Sequence, residues 1–410
     1  MVRFRSAIAL AGMLVMTACG SQPTSPSSAS AVAVSSMTPT GPSISPSVEP
    51  SIPVDLPAEL RGIAWSRVTQ VGDGAGGVDH STVEIGLLGR LATFTTSIDR
   101  ARWYVTTASG GPYVAMVRFP AAAGDGRIDV IDARTTARLG TVPFTGRIGV
   151  DHVLVDPVAK VLYASMPSEK GGIEIIRLAF DGTGRTSLIR LDKRFASVGI
   201  PEDRFGLVLT ASGTLVATAC GRADGCRVWE IPQGAKAAPP PIRLAANVPV
   251  ICYVAAASDD VLIVYDPGAC SDEGGVALPV RAIDLGDGST RLLAMEPRIL
   301  VKRVVEDGGA SKAIASVAAG PDRYMIDSID LDTGHRSVLA GPIAQAPESV
   351  GPVVEVSPAI LPGAWVLVTP TNPDPTNPAG LTAAVLIDAA SGTAIRLPVG
   401  TFGWEYPVGP

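Results

Sequence analysis

The thirteen residues Asp327–Leu339 read DSIDLDTGHRSVL. Their acids at 327, 330 and 332 are spaced like part of a calcium loop. The stretch has siblings, however, and the siblings decide what it is. VRAIDLGDGSTRLL carries its aspartate at Asp284, AAVLIDAASGTAIRL at Asp388 and IDVIDARTTARLGTV at Asp132. Looser copies are IEIIRLAFDGTGRTSLIRL around Asp181 and CRVWEIPQGAKAAPPPIRL around Pro232. In each, alternating apolar residues run into a short polar or glycine-bearing turn and a second short apolar run follows. Positions 132, 181, 232, 284, 330 and 388 are separated by 49, 51, 52, 46 and 58 residues. A period near fifty, with room for four strands, is the first thing the sequence establishes.

The rest of each unit fits this reading. Between the copies lie further Val-, Ile- and Leu-rich runs, such as RIGVDHVLVD with KVLYASMP and FGLVLTASG with TLVATACG. Turn residues punctuate them at the spacing of an all-β fold, and no amphipathic helix is readable after Pro57. Four strands per unit of this length predict a β-propeller. Six units run from about Arg100 to about Gly400, and LRGIAWSRVTQ, STVEIGLLG and LATFTTSI supply three more strands ahead of them. The predicted fold is an all-β, seven-bladed propeller with six blades as the alternative. TFGWEYPVG (Thr401–Gly409) is expected to complete the first blade and so remove two exposed strand edges.

The opening stretch is therefore expected to be the turn between the two outer strands of a blade. Aspartate hydrogen-bonds its own backbone in such turns and glycine accepts positive φ. A calcium site needs several oxygens converging at about 2.3–2.6 Å. Strand alternation would instead send Asp327 and Asp330 to opposite faces. No metal site is predicted.

The chain has 410 residues, a formal net charge of −6, 18% charged and 46% hydrophobic residues. That balance supports a large core and gives no basic footprint for nucleic acid. The N-terminus, MVRFRSAIALAGMLVMTACGSQ, has a basic start at Arg3 and Arg5, an apolar run from Ala7 to Val15, and small residues before Cys19. The run is too short for a stable membrane span. Met16-Thr17-Ala18-Cys19 resembles the lipobox of bacterial lipoproteins, with Met16 where that family usually has Leu. The resemblance implies that residues 1–18 are a removed signal and that Cys19 is lipidated. An ordinary secretory signal in which Cys19 is incidental is the alternative. Residues 19–58 are rich in Ser, Pro and Thr and read as an extended tether. Residues 59–410 are the propeller domain. The expected location is the extracytoplasmic side of the cell membrane, held there by acyl chains.

By period and strand pattern the chain resembles bacterial propeller lipoproteins with WD40-like or related repeats. That resemblance implies shape; no diagnostic Gly-His or Trp-Asp pair stands at the positions expected of that family, and no active-site motif carries over.

Four more cysteines, Cys220, Cys226, Cys252 and Cys270, suggest two disulfides in an exported protein. Cys220 and Cys226 flank a hairpin loop, so the sequential pairing is favoured, with crossed pairings open. The histidines His80, His152 and His335 are scattered, and no G-x-S-x-G elbow is present. VGDGAGGVDH (Val71–His80) lacks the helix and lysine of a phosphate loop and reads as a hairpin connection. Trp65, Trp103, Trp229, Trp365 and Trp404 read as packing between blades, with a stacking surface as the alternative. TPTNPDPTNPAG (Thr369–Gly380) reads as an exposed loop that could serve recognition. No catalytic residue and no cofactor is predicted. The expected function is a non-enzymatic binding or scaffold module for an envelope protein, glycan or peptide. The alternative is an extracytoplasmic hydrolase or lyase with its site at the central channel.

Overall fold

A computed structural model describes residues 55–397 apart from 73–77, 91, 100–102, 121–124, 146–152, 168–171, 192–204, 222–224, 245–252, 266–276, 298, 308, 321–322, 345–353, 359–360 and 369–384. Its strands form seven antiparallel sheets. The first holds β1 (Ala64–Gly72), β2 (Val78–Leu87) and β3 (Ala92–Asp99). The second is β4 (Trp103–Gly110), β5 (Tyr113–Pro120), β6 (Asp125–Asp132) and β7 (Ala137–Thr145). The third is β8 (Val153–Asp156), β9 (Val161–Pro167), β10 (Ile173–Ala179) and β11 (Thr186–Leu191). In the fourth, β12 (Phe205–Leu209), β13 (Leu215–Gly221) and β14 (Gly225–Ile231) are extended by a single bridge from Val228 to Ile242. The fifth is β15 (Tyr253–Ala257), β16 (Val261–Tyr265), β17 (Ala277–Asp284) and β18 (Thr290–Pro297). The sixth is β19 (Ile299–Asp307), β20 (Ala310–Gly320), β21 (Arg323–Asp330) and β22 (Arg336–Ala344). After β23 (Val354–Pro358), the seventh sheet is β24 (Trp365–Val368), β25 (Val385–Asp388) and β26 (Ala394–Arg396).

Each sheet is a blade of a seven-bladed β-propeller. The first strand of one blade lies beside the first strand of the next, β4 by β8, β8 by β12, β12 by β15 and β15 by β19. The ring closes through β23, which pairs antiparallel with β1 from Trp65↔Pro358 to Thr69↔Val354 and also lies against β4. This corrects one detail of the sequence reading. The fourth strand of the first blade comes from Val354–Pro358, and Thr401–Gly409, expected there, lie outside the described residues. The physical requirement is the same in both versions. The inner edge of β1 needs a partner from late in the chain, and a five-residue run containing two valines satisfies it.

What holds the blades together is apolar surface on both faces of each sheet. Among the described residues the buried apolar side chains form seven clusters, one at each junction between neighbouring blades. At the second-to-third junction Val117, Ile128 and Val130 meet Leu162, Ile176 and Leu178. At the closing junction Trp65 and Leu88 of the first blade meet Trp365, Leu367 and Leu386 of the seventh. Leu56 and Leu60 enter that same cluster, so packing reaches back to Leu56. Each Leu or Ile buried in this way contributes about 1.5–3 kcal/mol, so every junction carries a substantial share of the stability.

The fifty-residue signature now has a geometry. Asp284 and Asp330 end the third strand of their blades, and Asp388 ends β25 of the seventh. Their carbonyls accept from Gly288, Gly334 and Gly392, and their amides donate to the carbonyls of Ser289, His335 and Thr393. The next amide, from Leu285, Leu331 or Ala389, reaches across to a carbonyl at the start of the neighbouring strand, at Asp260, Ser311 and Ala364. Ala133 does the same to Pro112 in the second blade and Leu88 to Ile63 in the first. One residue pattern thus closes a hairpin and ties two turns at one rim.

Candidate functional site

An antiparallel meander sends its connections alternately to two ends. The turns joining first to second and third to fourth strands therefore gather at one rim of the ring, and these are largely within the described residues. Their acids hold backbone. Asp330 accepts from the amides of Asp332 and Thr333 and from the Thr333 hydroxyl, at 3.0, 2.7 and 2.7 Å. Asp284 accepts from Gly286 and Asp287, Asp181 from Thr183, and Asp388 from Ala390 and Ser391. Asp156 receives the amides of Val158 and Ala159 and, on its other oxygen, Gln233 from the next blade. The Thr333 amide and hydroxyl hold the Asp330 carboxyl below its ordinary value. The Arg134 guanidinium does the same for Asp132.

The stretch Asp327–Leu339 is therefore a turn, as its repetition suggested. Among the described residues no group of three or more His, Cys, Asp or Glu is placed to share a metal ion. Beside this turn lies a groove of about 460 Å³ between the sixth and seventh blades. Lys312, Ser328, Asp330, His335, Ser337 and Ser391 supply its polar lining. Of the two described histidines, His335 lines this groove and His80 is on β2 of the first blade; His152 lies outside the described residues.

A second recurring feature was not read from the sequence. In four blades a carboxylate within the third strand points at the preceding blade and meets arginine. The pairs are Glu84 with Arg67, Glu174 with Arg185 and Arg190, Asp327 with Arg336, and Asp129 with Arg118, Arg127 and Arg138. Alternation fixes the direction, since flanking residues such as Ile128 and Val130 fill the junction with the following blade. A bulge in the fourth strand helps to bring arginine round. The register slips by one at Leu139, Leu188, Leu293 and Leu339, and at Thr93 in the first blade. The signal in sequence was an acid three residues before the turn position, as at Asp129 and Asp327, but charge inside a β run reads equally well as a solvated face. For Glu174, burial opposes ionisation, yet the Ser187 hydroxyl and the two guanidiniums outweigh it and lower its pKa.

The other singled-out residues are placed as follows. Cys220 and Cys226 are directly opposite one another on β13 and β14 and form a disulfide, with Cα atoms 4.0 Å apart. Cys252, Cys270 and Cys19 lie outside the described residues. Trp65, Trp229 and Trp365 are buried at blade junctions and Trp103 packs against one, whereas Trp404 is not described. The Trp65 indole donates to the Leu87 carbonyl, and that of Trp365 to Glu59. Val71–His80 spans a hairpin, with Gly72 paired to Val78 and 73–77 undescribed. Thr369–Gly380 also falls outside the described residues. Arg303, on the inner strand of the sixth blade, donates to the Trp365 carbonyl at 2.8 Å, and burial pushes its pKa down to about 10.

No protein-family model and no curated protein matches the chain. Solved structures resemble its fold. TolB from Acinetobacter baumannii is 14% identical over 68% of this chain and 64% of its own, with a TM-score of 0.41. A Mycobacterium tuberculosis puromycin-hydrolyzing peptidase is 13% identical over 87% of this chain and 57% of its own, at 0.43. An oligogalacturonate lyase in complex with manganese is 12% identical over 74% and 86%, also at 0.43. The chain thus spans under two thirds of the first two. At these identities and scores the likeness carries no argument about activity.

Proposed function

We propose that the chain is a lipid-anchored extracytoplasmic propeller that presents a rim to a protein, glycan or peptide and does no chemistry itself. Its leader and the Met16–Cys19 lipobox support the anchor, and the Ser-, Pro- and Thr-rich residues ahead of Leu56 give the ring reach from the membrane. The observation that favours binding over catalysis is the use of six of the aspartates at the described rim. Asp132, Asp156, Asp181, Asp284, Asp330 and Asp388 all hold turn amides. A catalytic acid or base needs a free carboxyl within reach of substrate; these are committed to backbone. A rigid ring with ordered turns suits recognition.

The test begins with Cys19→Ser in the full chain. Membrane fractionation should find the variant released and without acyl label, and retention with unchanged labelling would contradict the anchor. Cross-linking on intact cells, followed by purification of the wild-type chain, should then yield one partner in near-equal amount. Turnover of peptide or polysaccharide substrates by the purified chain, with no partner captured, would instead favour the hydrolase or lyase reading.

A further inference from the structure

The buried carboxylates facing the preceding blade serve one structural purpose, and one arginine, or two at Glu174, suffices for it. Glu84 has Arg67 and Asp327 has Arg336. The second blade departs from this economy. Three guanidiniums surround Asp129: Arg118 Nε at 3.4 Å, Arg127 Nε at 3.3 Å and Arg138 Nε at 3.7 Å. Asp129 is fully enclosed and Arg118 is 15% exposed, but Arg127 and Arg138 are 40% and 57% exposed. Two positive charges are left over, and the fit to the carboxylate is poor. Asp129 Oδ1 is already occupied by the Thr141 hydroxyl at 2.8 Å, while Oδ2 and the Nε atoms of Arg118 and Arg127 make no hydrogen bond. The arginines thus crowd one another without a matched acceptor. Burial and the neighbouring charges of Arg127 and Arg138 depress the Arg118 pKa, against the attraction of Asp129.

Such a cluster is costly for folding alone and well suited to holding an anion. The fold also works to build it. Arg118 and Arg127 face each other across β5 and β6, and the bulge at Leu139 turns Arg138 to the same face. We propose that Arg118, Arg127 and Arg138 form a binding site for a doubly charged tetrahedral oxyanion of the phosphate or sulfate kind, on the flank of the second blade that faces the first. The charge left over after Asp129 matches such a dianion. Asp129 acts as an internal counter-charge that keeps the three side chains gathered when the site is empty. The site stands independently of the acyl anchor and of any partner at the rims.

The experiment is calorimetric titration and thermal unfolding of the full chain in detergent, in chloride and in phosphate, sulfate or acetate at equal ionic strength. Phosphate and sulfate should bind and raise the melting temperature, and acetate should not. Arg127→Gln and Arg138→Gln should each bind phosphate about tenfold more weakly, the loss of one charge-assisted hydrogen bond. The double variant should bind none, and Arg185→Gln, which thins the Glu174 cluster, should bind as the wild type does. In chloride the double variant should melt no lower than the wild type, because repulsion has been relieved. Glycerol 3-phosphate binding as well as inorganic phosphate assigns the site to an ester-borne group, and binding of the inorganic ion alone assigns it to the free anion. The proposal is overturned if neither phosphate nor sulfate binds the wild type, if the double variant binds as well, or if Arg185→Gln abolishes binding too. A double variant that melts lower in chloride while keeping its phosphate response assigns the arginines to the fold alone, and also overturns it.

Discussion

Thr136 occupies the turn position that glycine fills in three other blades. Its φ is 58°, beside 72°, 70° and 72° at Gly288, Gly334 and Gly392. A side chain there crowds the following carbonyl, so Thr136→Gly should stabilise the protein by about 1 kcal/mol and Gly334→Ala should cost about as much. Urea unfolding of the two variants checks this. Around Gly334 the space is open, so its cost is purely conformational; at Gly288 a Cβ would also collide with the Arg243 carbonyl. The acid at the head of the turn gives a second expectation. The Asp330 pKa is lowered on folding from an ordinary 3.8, chiefly by the Thr333 amide and then by its hydroxyl. A depressed carboxylate contributes stability that is complete above the ordinary value and is lost as pH falls through the folded one. Stability should therefore decline below about pH 4. Asp330→Asn should flatten part of that decline, and an unchanged slope in unfolding experiments between pH 5 and pH 2 would show that Asp330 does not contribute. The role of Asp330 was legible from sequence because aspartate and glycine at fixed spacing have few other uses. That of Asp129 was not, because an acid within a strand does not show which arginine lies across the sheet.

At the scale of strands and hairpins, the Cys220–Cys226 bond joins residues directly opposite each other on β13 and β14. The six-residue separation makes a small closed loop, so replacing both cysteines by alanine should cost about 2 kcal/mol by the loop-entropy estimate. Chemical reduction should cost a similar amount, and no change in the unfolding midpoint on reduction would contradict the pairing. This bridge could be read from sequence because two cysteines flanking a short loop between apolar runs fall opposite each other in a hairpin. The fourth-strand bulges could not. An extra residue such as Leu139 or Leu339 keeps the apolar composition of its run, and only the partner strand shows the slip.

At the scale of the molecule, seven apolar junctions make the ring, and the last depends on a strand from late in the chain. Period and strand pattern gave the number of blades, because both faces of each sheet must be covered by a neighbour. They did not identify the closing strand, since any β-branched run near the C-terminus meets the need of β1, and TFGWEYPVG looked as suitable as Val354–Pro358. The candidate site was less legible than the fold, because function in a ring is assembled from residues far apart in the chain, as the grouping of Arg118, Arg127 and Arg138 illustrates. Closure is tested most directly by Ser66→Cys combined with Ser357→Cys, two positions opposite one another in the β1–β23 register. Mild oxidation should link them within one chain, seen by peptide mass spectrometry and as faster migration without reductant. Absence of that link, or efficient linkage only when the second cysteine is placed between 401 and 409, would contradict a ring closed by Val354–Pro358.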